Sequence, residues 1–143
     1  MRDIYSTLKD TKYFIDNEFL LKYCQLIERN TRTQTVRHST HKHHIIPRSW
    51  FKLNNCSIND NLNNLVNLPT REHFLAHYYL CLCTEYPFRY ANQLALMCLM
   101  SDKHIKVVDK MLLSSLPLYN NIYEEYIAMM RSNYKLYSEE RLK

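Results

Sequence analysis

"NLVNLPTREHFLAH", residues 64–77, changes its pattern at a single proline. Asn64 to Pro69 is short, carries the β-branched Val66 and is stopped by a residue with no N–H to give a ladder, so it reads as a strand. Thr70 suits the N-cap of the helix that follows, and Glu72 stands in its first turn, where the helix dipole favours a negative charge. His73 and His77 are four apart on that helix. They therefore project from one face, close enough together to hold a single ion.

A strand needs a partner, and "HKHHIIPRS", residues 41–49, supplies one. Lys42 to Ile46 is expected to pair with 64–69 as a hairpin, with Pro47 ending it. Three of the seven histidines fall in the four positions from His41 to His44. Imidazoles are poor strand formers and add little to a core, so the cluster asks for a chemical reason. Neighbouring side chains on a strand point to opposite faces, so His43 and His44 cannot both serve one metal without distortion and should divide the work. Between the strands, residues 48–63 read as a long loop, with Asn or Asp at six positions from Asn54 to Asn63.

On the N-terminal side, Ile15, Phe19, Tyr23, Leu26 and Ile27 recur at helical spacing, which predicts a first helix over Tyr13 to Glu28 with one buried face. It ends near Asn30, and the polar, basic stretch "RNTRTQTVRHSTHK" (29–42) connects it to the hairpin. After Pro87, the positions Phe88, Ala91, Leu94, Ala95, Cys98 and Leu99 form another helical stripe. Asp102 is expected to cap a shorter helix carrying Ile105, Val108, Met111 and Leu112, and Ser115 or Pro117 to open a last one. No repeat, low-complexity tract or Gly/Ser linker divides the chain. The expected fold is α+β and mostly helical, a single domain over 1–143. Its parts are an N-terminal helix and basic connector at 1–40, a strand–strand–helix core at 41–84 and C-terminal helices at 85–143.

A chain of 143 residues fits about one domain and is long enough to bury a core without staples. Its five cysteines are an odd number, with Cys81 and Cys83 the only close pair and no leader pattern ahead of them. A reducing, cytoplasmic setting without a disulfide framework is expected. Cys81 and Cys83 diverge by about 200° on a helix and make a poor ligand pair, so they and Cys98 are read as core thiols. The longest apolar runs, such as "LALMCLM" (94–100), fall far short of the ~20 residues that span a bilayer, and no membrane partner is expected. Nineteen Lys and Arg against fourteen Asp and Glu give a net charge of +5, which favours a polyanionic partner. Glycine is absent while Asn, Tyr, Lys and Ile are abundant, a bias that AT-rich coding DNA of a phage or similar mobile genome would produce. Any left-handed backbone position is then expected to fall to Asn or Asp.

Taken in order, "HHIIPRS" (43–49), "NLVNL" (64–68) and "REHFLAH" (71–77) resemble the HNH endonuclease family, nucleases with a ββα-metal core, and in particular its small free-standing phage members of the homing-endonuclease kind. Asn64 precedes His73 by nine residues and His73 precedes His77 by four, a spacing similar to the family motif. The core match covers roughly 42–84, while "YCQLIERNTR" (23–32) and "IYEEY" (122–126) are similar more loosely. The resemblance implies a metal-dependent endonuclease that hydrolyses DNA phosphodiester bonds, by nicking or double-strand cleavage, to 5′-phosphate and 3′-hydroxyl ends. It also implies that His43, His73 and His77 ligate the metal, that His44 is the general base activating water, and that Asn64 fixes the long loop and orients His44. Many phage members carry a Gly-Gly pair shortly after "HHIIP"; here "SWFKLNN" (49–55) stands instead, and Asn54 and Asn55 can supply the left-handed geometry.

Phosphodiester hydrolysis needs a nucleophilic water, a Lewis acid on the phosphate oxygens and charge stabilisation for the leaving alkoxide. Three neutral imidazoles suit Zn²⁺, Ni²⁺, Co²⁺ or Mn²⁺ better than Mg²⁺, although substrate phosphates would supply Mg²⁺ with oxygens. The family implies double-stranded DNA lying with its minor groove and backbone against the ββα element. Arg71, at the helix start, is the candidate for holding the scissile or an adjacent phosphate, with a solvated surface arginine as the alternative. Arg32, Arg37, Lys42 and Arg48 are candidates for further phosphate contacts, which would make binding steeply salt-dependent. His38, His41 and His104 lie outside the pattern, the first two with a phosphate contact at most. A monomer and a homodimer fit equally. Two other classes compete: a DNA-binding or regulatory protein with a structural metal on the same scaffold, and a helical interaction protein whose histidines are incidental. Cleavage assays across several metals separate the first from an enzyme, and a metal titration separates the second.

Overall fold

Two strands, β1 (Thr40–His44) and β2 (Leu65–Pro69), pair antiparallel in the computed structural model, which describes residues 3–32 and 40–101. His41 stands opposite Leu68, His43 opposite Val66 and His44 opposite Leu65. The alternation is the one a half-buried sheet requires: His43, Val66 and Leu68 are buried, while Lys42 and Asn67 face out. β1 lies two residues earlier than expected. Ile45 and Ile46 leave the ladder because both bond to Asn64 instead, Ile45 N–H to its carbonyl (2.9 Å) and Ile46 N–H to its side-chain oxygen (2.8 Å).

The chain separates into two units, Met1–Ser101 and Asp102–Lys143, and every element described belongs to the first. The helices expected beyond residue 101 lie outside the described residues.

Pro69 ends β2 and takes the N-cap position of the next helix, α4 (Thr70–Leu82), with its φ of −57°. Thr70 was expected at that cap. It is instead the first helical residue, and its buried hydroxyl makes no hydrogen bond. α4 is apolar on several sides, with Phe74, Ala76, Leu80 and Cys81 all buried, because the hairpin, α2 (Glu18–Arg32) and α5 (Phe88–Ser101) all pack on it.

α2 (Glu18–Arg32) shows the one-sided stripe expected, burying Leu20, Tyr23, Cys24 and Ile27. It begins at Glu18 rather than Tyr13. The Asn17 side chain accepts from the N–H groups of Phe19 (3.0 Å) and Leu20 (3.1 Å), and its amide donates to the Leu82 carbonyl (3.0 Å). Ahead of that cap the chain is extended and bridges the end of α4, Ile15 N–H giving to Cys83 O (2.8 Å) and Glu85 N–H to Tyr13 O (2.9 Å). A short helix, α1 (Ile4–Lys9), precedes it, capped by the Asp3 carboxylate on Ser6 N–H (2.7 Å).

The 48–63 segment is not a plain loop. Pro47 starts α3 (Arg48–Leu53), which buries Phe51, and the Trp50 indole donates to the Lys12 carbonyl (2.8 Å). Of the two residues offered for left-handed geometry, Asn55 adopts it (φ 54°) and Asn54 does not (φ −99°). The expectation that only Asn or Asp would do so fails at Tyr13 (φ 73°), whose carbonyl is held by the bridge to Glu85. α5 (Phe88–Ser101) forms where expected, but of its stripe only Phe88 and Leu99 are buried, with Asn92, Gln93 and Leu96 filling the rest of that face; Phe88 is stacked edge-on to Phe14 at 5.5 Å. Cys81 and Cys83 are core thiols, pushed up to about 12 by burial, but Cys98 is exposed, since the core face of α5 is taken by Phe88, Asn92, Leu96 and Leu99. Among the described residues the fold is α+β, one two-stranded sheet among helices.

Candidate metal centre

Strand alternation carries His43 to the buried face of β1, where it is 2 % exposed, and α4 crosses that face with His73 and His77 one turn apart. One ring nitrogen from each of the three imidazoles lies within 4.8 Å of the others, and His73 Nε2 and His77 Nε2 are 3.0 Å apart. The ring centroids are 5.4 Å (His43–His73), 5.1 Å (His43–His77) and 4.7 Å (His73–His77) apart. A tetrahedral cation bound at about 2.0–2.1 Å sets its nitrogens roughly 3.4 Å apart, so closing on an ion needs a contraction of about 1.4 Å at most.

The chemistry of the donors fits a cation. Burial, reinforced by the neighbouring imidazoles, holds His43 well below the usual histidine range. It brings His73 down to about 3 and His77 to about 4. All three are neutral at physiological pH and carry a lone pair. His77 Nδ1 is buried and has no hydrogen-bond partner, so the site holds unspent polar capacity. The His43, His73 and His77 cluster could therefore hold a metal ion.

Two side chains missed in the sequence touch these rings. The Tyr23 hydroxyl, on α2, lies 2.7 Å from His43 Nε2 and donates to the Ile45 carbonyl at 2.8 Å. His41 Nδ1 lies 3.0 Å from His73 Nδ1. Tyr23 was legible only as a stripe residue, although a phenol in a core demands a partner. His41, set outside the pattern, is two residues from His43 and so shares its face of β1.

His44 lies on the other face, as the alternation requires. Its Nε2 is 2.7 Å from Asp60 Oδ1, and Arg48 approaches the second carboxylate oxygen at 3.7 Å. Hydrogen bonding from His44, and then the charge of Arg48, keeps Asp60 below the ordinary carboxylate range. In the sequence Asp60 reads only as a turn residue. Asn64, expected to orient His44, makes no side-chain bond to it. Its amide donates to Ile46 O (3.1 Å) and Asn59 O (2.9 Å), clamping the end of β1 to the residue before Asp60.

Of the cationic candidates, Lys42 is exposed on the His44 side of β1, and Arg48, 60 % exposed, joins it through Asp60. Arg71 and Arg32 are exposed on α4 and α2 rather than on the hairpin, and Arg37 lies outside the described residues. Arg29 forms an ion pair with Glu72 (2.6 Å), tying α2 to the first turn of α4. Among the described residues, no helix is long and apolar enough to cross a membrane. No family model, curated protein or solved structure matches this chain.

Proposed function

We propose that this chain is a metal-dependent DNA endonuclease of the HNH kind, with β1, β2 and α4 as its ββα-metal core. The observation that carries the reading is the convergence of His43, His73 and His77 from strand and helix, with His44 facing away on the same strand. The divalent cation, Zn²⁺, Ni²⁺, Co²⁺, Mn²⁺ or Mg²⁺, supplies Lewis-acid stabilisation of charge on the phosphate oxygens when bound. His43, His73 and His77 hold it. His44 takes the proton from the attacking water. A carboxylate only accepts hydrogen bonds, so against Asp60 it is Nε2 that carries the proton, and Nδ1 is left as the basic nitrogen. Asn64 is a positioning residue, holding the segment that bears Asp60. Arg48 and Lys42, with Arg71, Arg32 and Arg37, are assigned to backbone phosphates of double-stranded DNA. The products are 5′-phosphate and 3′-hydroxyl ends, and the context is a phage homing-type nuclease.

A second reading, an inactive DNA-binding or regulatory protein with a structural metal, is favoured by one observation. A cation at His43 would sit deep among β1, α4 and α2, where it would stitch three elements together. Nicking of supercoiled plasmid across Mg²⁺, Mn²⁺, Co²⁺, Ni²⁺ and Zn²⁺ separates the two. Cleavage by the wild-type chain that His44→Ala loses supports the enzyme; metal binding without cleavage in any of the five supports the structural role.

A further inference from the structure

We propose that Tyr23 is a positioning residue of the metal centre, fixing His43 as the tautomer whose Nδ1 lone pair is offered to the cation. This rests on the reading that the imidazole cluster holds a metal. A phenol has one hydrogen, and the Ile45 carbonyl 2.8 Å away can only accept it. With that hydrogen committed, the 2.7 Å contact between the Tyr23 oxygen and His43 Nε2 has to be filled by a proton on Nε2. A neutral imidazole protonated at Nε2 has its lone pair at Nδ1.

The wrong tautomer is costly here. It would set a bare nitrogen against an oxygen whose hydrogen is already spent, in a spot where Tyr23 is 0 % and His43 2 % exposed and water cannot substitute. Metal-ligating histidines generally hand their second N–H to an outer acceptor in this way, which also holds the ring plane. The acceptor is more often a carboxylate or backbone carbonyl; here a hydroxyl relays the bond to the carbonyl of Ile45, just past the end of β1. His41 does not do the same for His73. In their Nδ1–Nδ1 contact either ring can be the donor, so that bond orients the pair without choosing a tautomer. α2 thereby becomes part of the metal centre, through a side chain that its apolar stripe shows only as packing.

The test begins with the metal-free wild-type chain. Nitrogen-15 NMR of the imidazoles should show His43 protonated at Nε2 and bare at Nδ1, and on Zn²⁺ saturation the Nδ1 resonance should move. A proton on Nδ1 in the metal-free chain, or Zn²⁺ attached through Nε2, overturns the proposal. Tyr23→Phe, which removes only the hydroxyl, should bind Zn²⁺ about 10- to 100-fold more weakly in competition with a chromophoric chelator. Ile27→Val, which trims one buried methylene from the same helix and removes no hydrogen-bonding group, should keep wild-type affinity. Affinity within twofold of wild type for Tyr23→Phe, or an equal loss in Ile27→Val, overturns the proposal. If Tyr23→Phe does not fold, the wild-type tautomer decides. A wild-type chain that takes up no Zn²⁺ would sink the metal reading instead, while the tautomer in the metal-free chain still tests Tyr23.

Discussion

Acidification should unfold the metal-free protein well above the range in which its carboxylates titrate. The perturbation acts on three buried imidazoles. In the folded chain His73 titrates at about 3 and His77 at about 4, with His43 also held well below its usual range. In the unfolded chain each returns to roughly 6.5. A group whose folded pKa is depressed leaves stability intact above its unfolded pKa and removes it as pH falls towards the folded one. Between about pH 6.5 and 4 the unfolded chain binds protons that the fold refuses, and each such group costs about 1.4 kcal/mol per pH unit. Three of them approach roughly 4 kcal/mol per unit, against a total stability of the order of 5–15 kcal/mol for a domain. Asp60 adds nothing in this window, because its own loss begins only as pH drops through the carboxylate range. Urea melts followed by circular dichroism, with a chelator present, should show the midpoint falling steeply from pH 7 to pH 5. The double variant His73→Gln, His77→Gln should flatten that fall. A midpoint constant or rising over the same interval would show that the rings are not buried together as neutral groups.

Three further outcomes are expected. His44→Ala should cut plasmid nicking by about 10²- to 10⁴-fold while leaving metal stoichiometry unchanged, as measured by titration calorimetry beside the cleavage assay. Asn64→Ala should cost roughly 2–4 kcal/mol in chemical denaturation, because it strands the Ile46 N–H and the carbonyls of Ile46 and Asn59. Arg71→Ala should weaken DNA binding evenly across sequences and lower the slope of log affinity against log salt by about 0.9, read from binding isotherms at several salt concentrations; an unchanged slope would return Arg71 to a solvated surface role.

The hairpin and α4 were legible because their signals are local. A short β-branched run in "NLVNLP", a proline that cannot extend a ladder and two histidines four apart each dictate geometry within a few residues. The His43, His73 and His77 grouping followed from spacing and from the family resemblance, and the described residues bring the three together. The start of α2 was not legible, because the cap at Asn17 is fixed by the Leu82 carbonyl, 65 residues away. Nor was α3, since six residues of mixed polarity give no periodicity and its Trp50 is anchored by a backbone carbonyl 38 positions distant. Tyr23, His41 and Asp60 escaped for the same reason. Each acquires its role only when a distant segment arrives: Tyr23 against His43, His41 against His73, Asp60 against His44.

X-ray absorption at the zinc edge, on the chain loaded with one equivalent of Zn²⁺, reads the coordination sphere itself. The expected spectrum has three imidazole nitrogens at about 2.0–2.1 Å, falling to two in His73→Ala. A sphere of oxygens alone, or no stoichiometric zinc to measure, would contradict a metal centre at His43, His73 and His77.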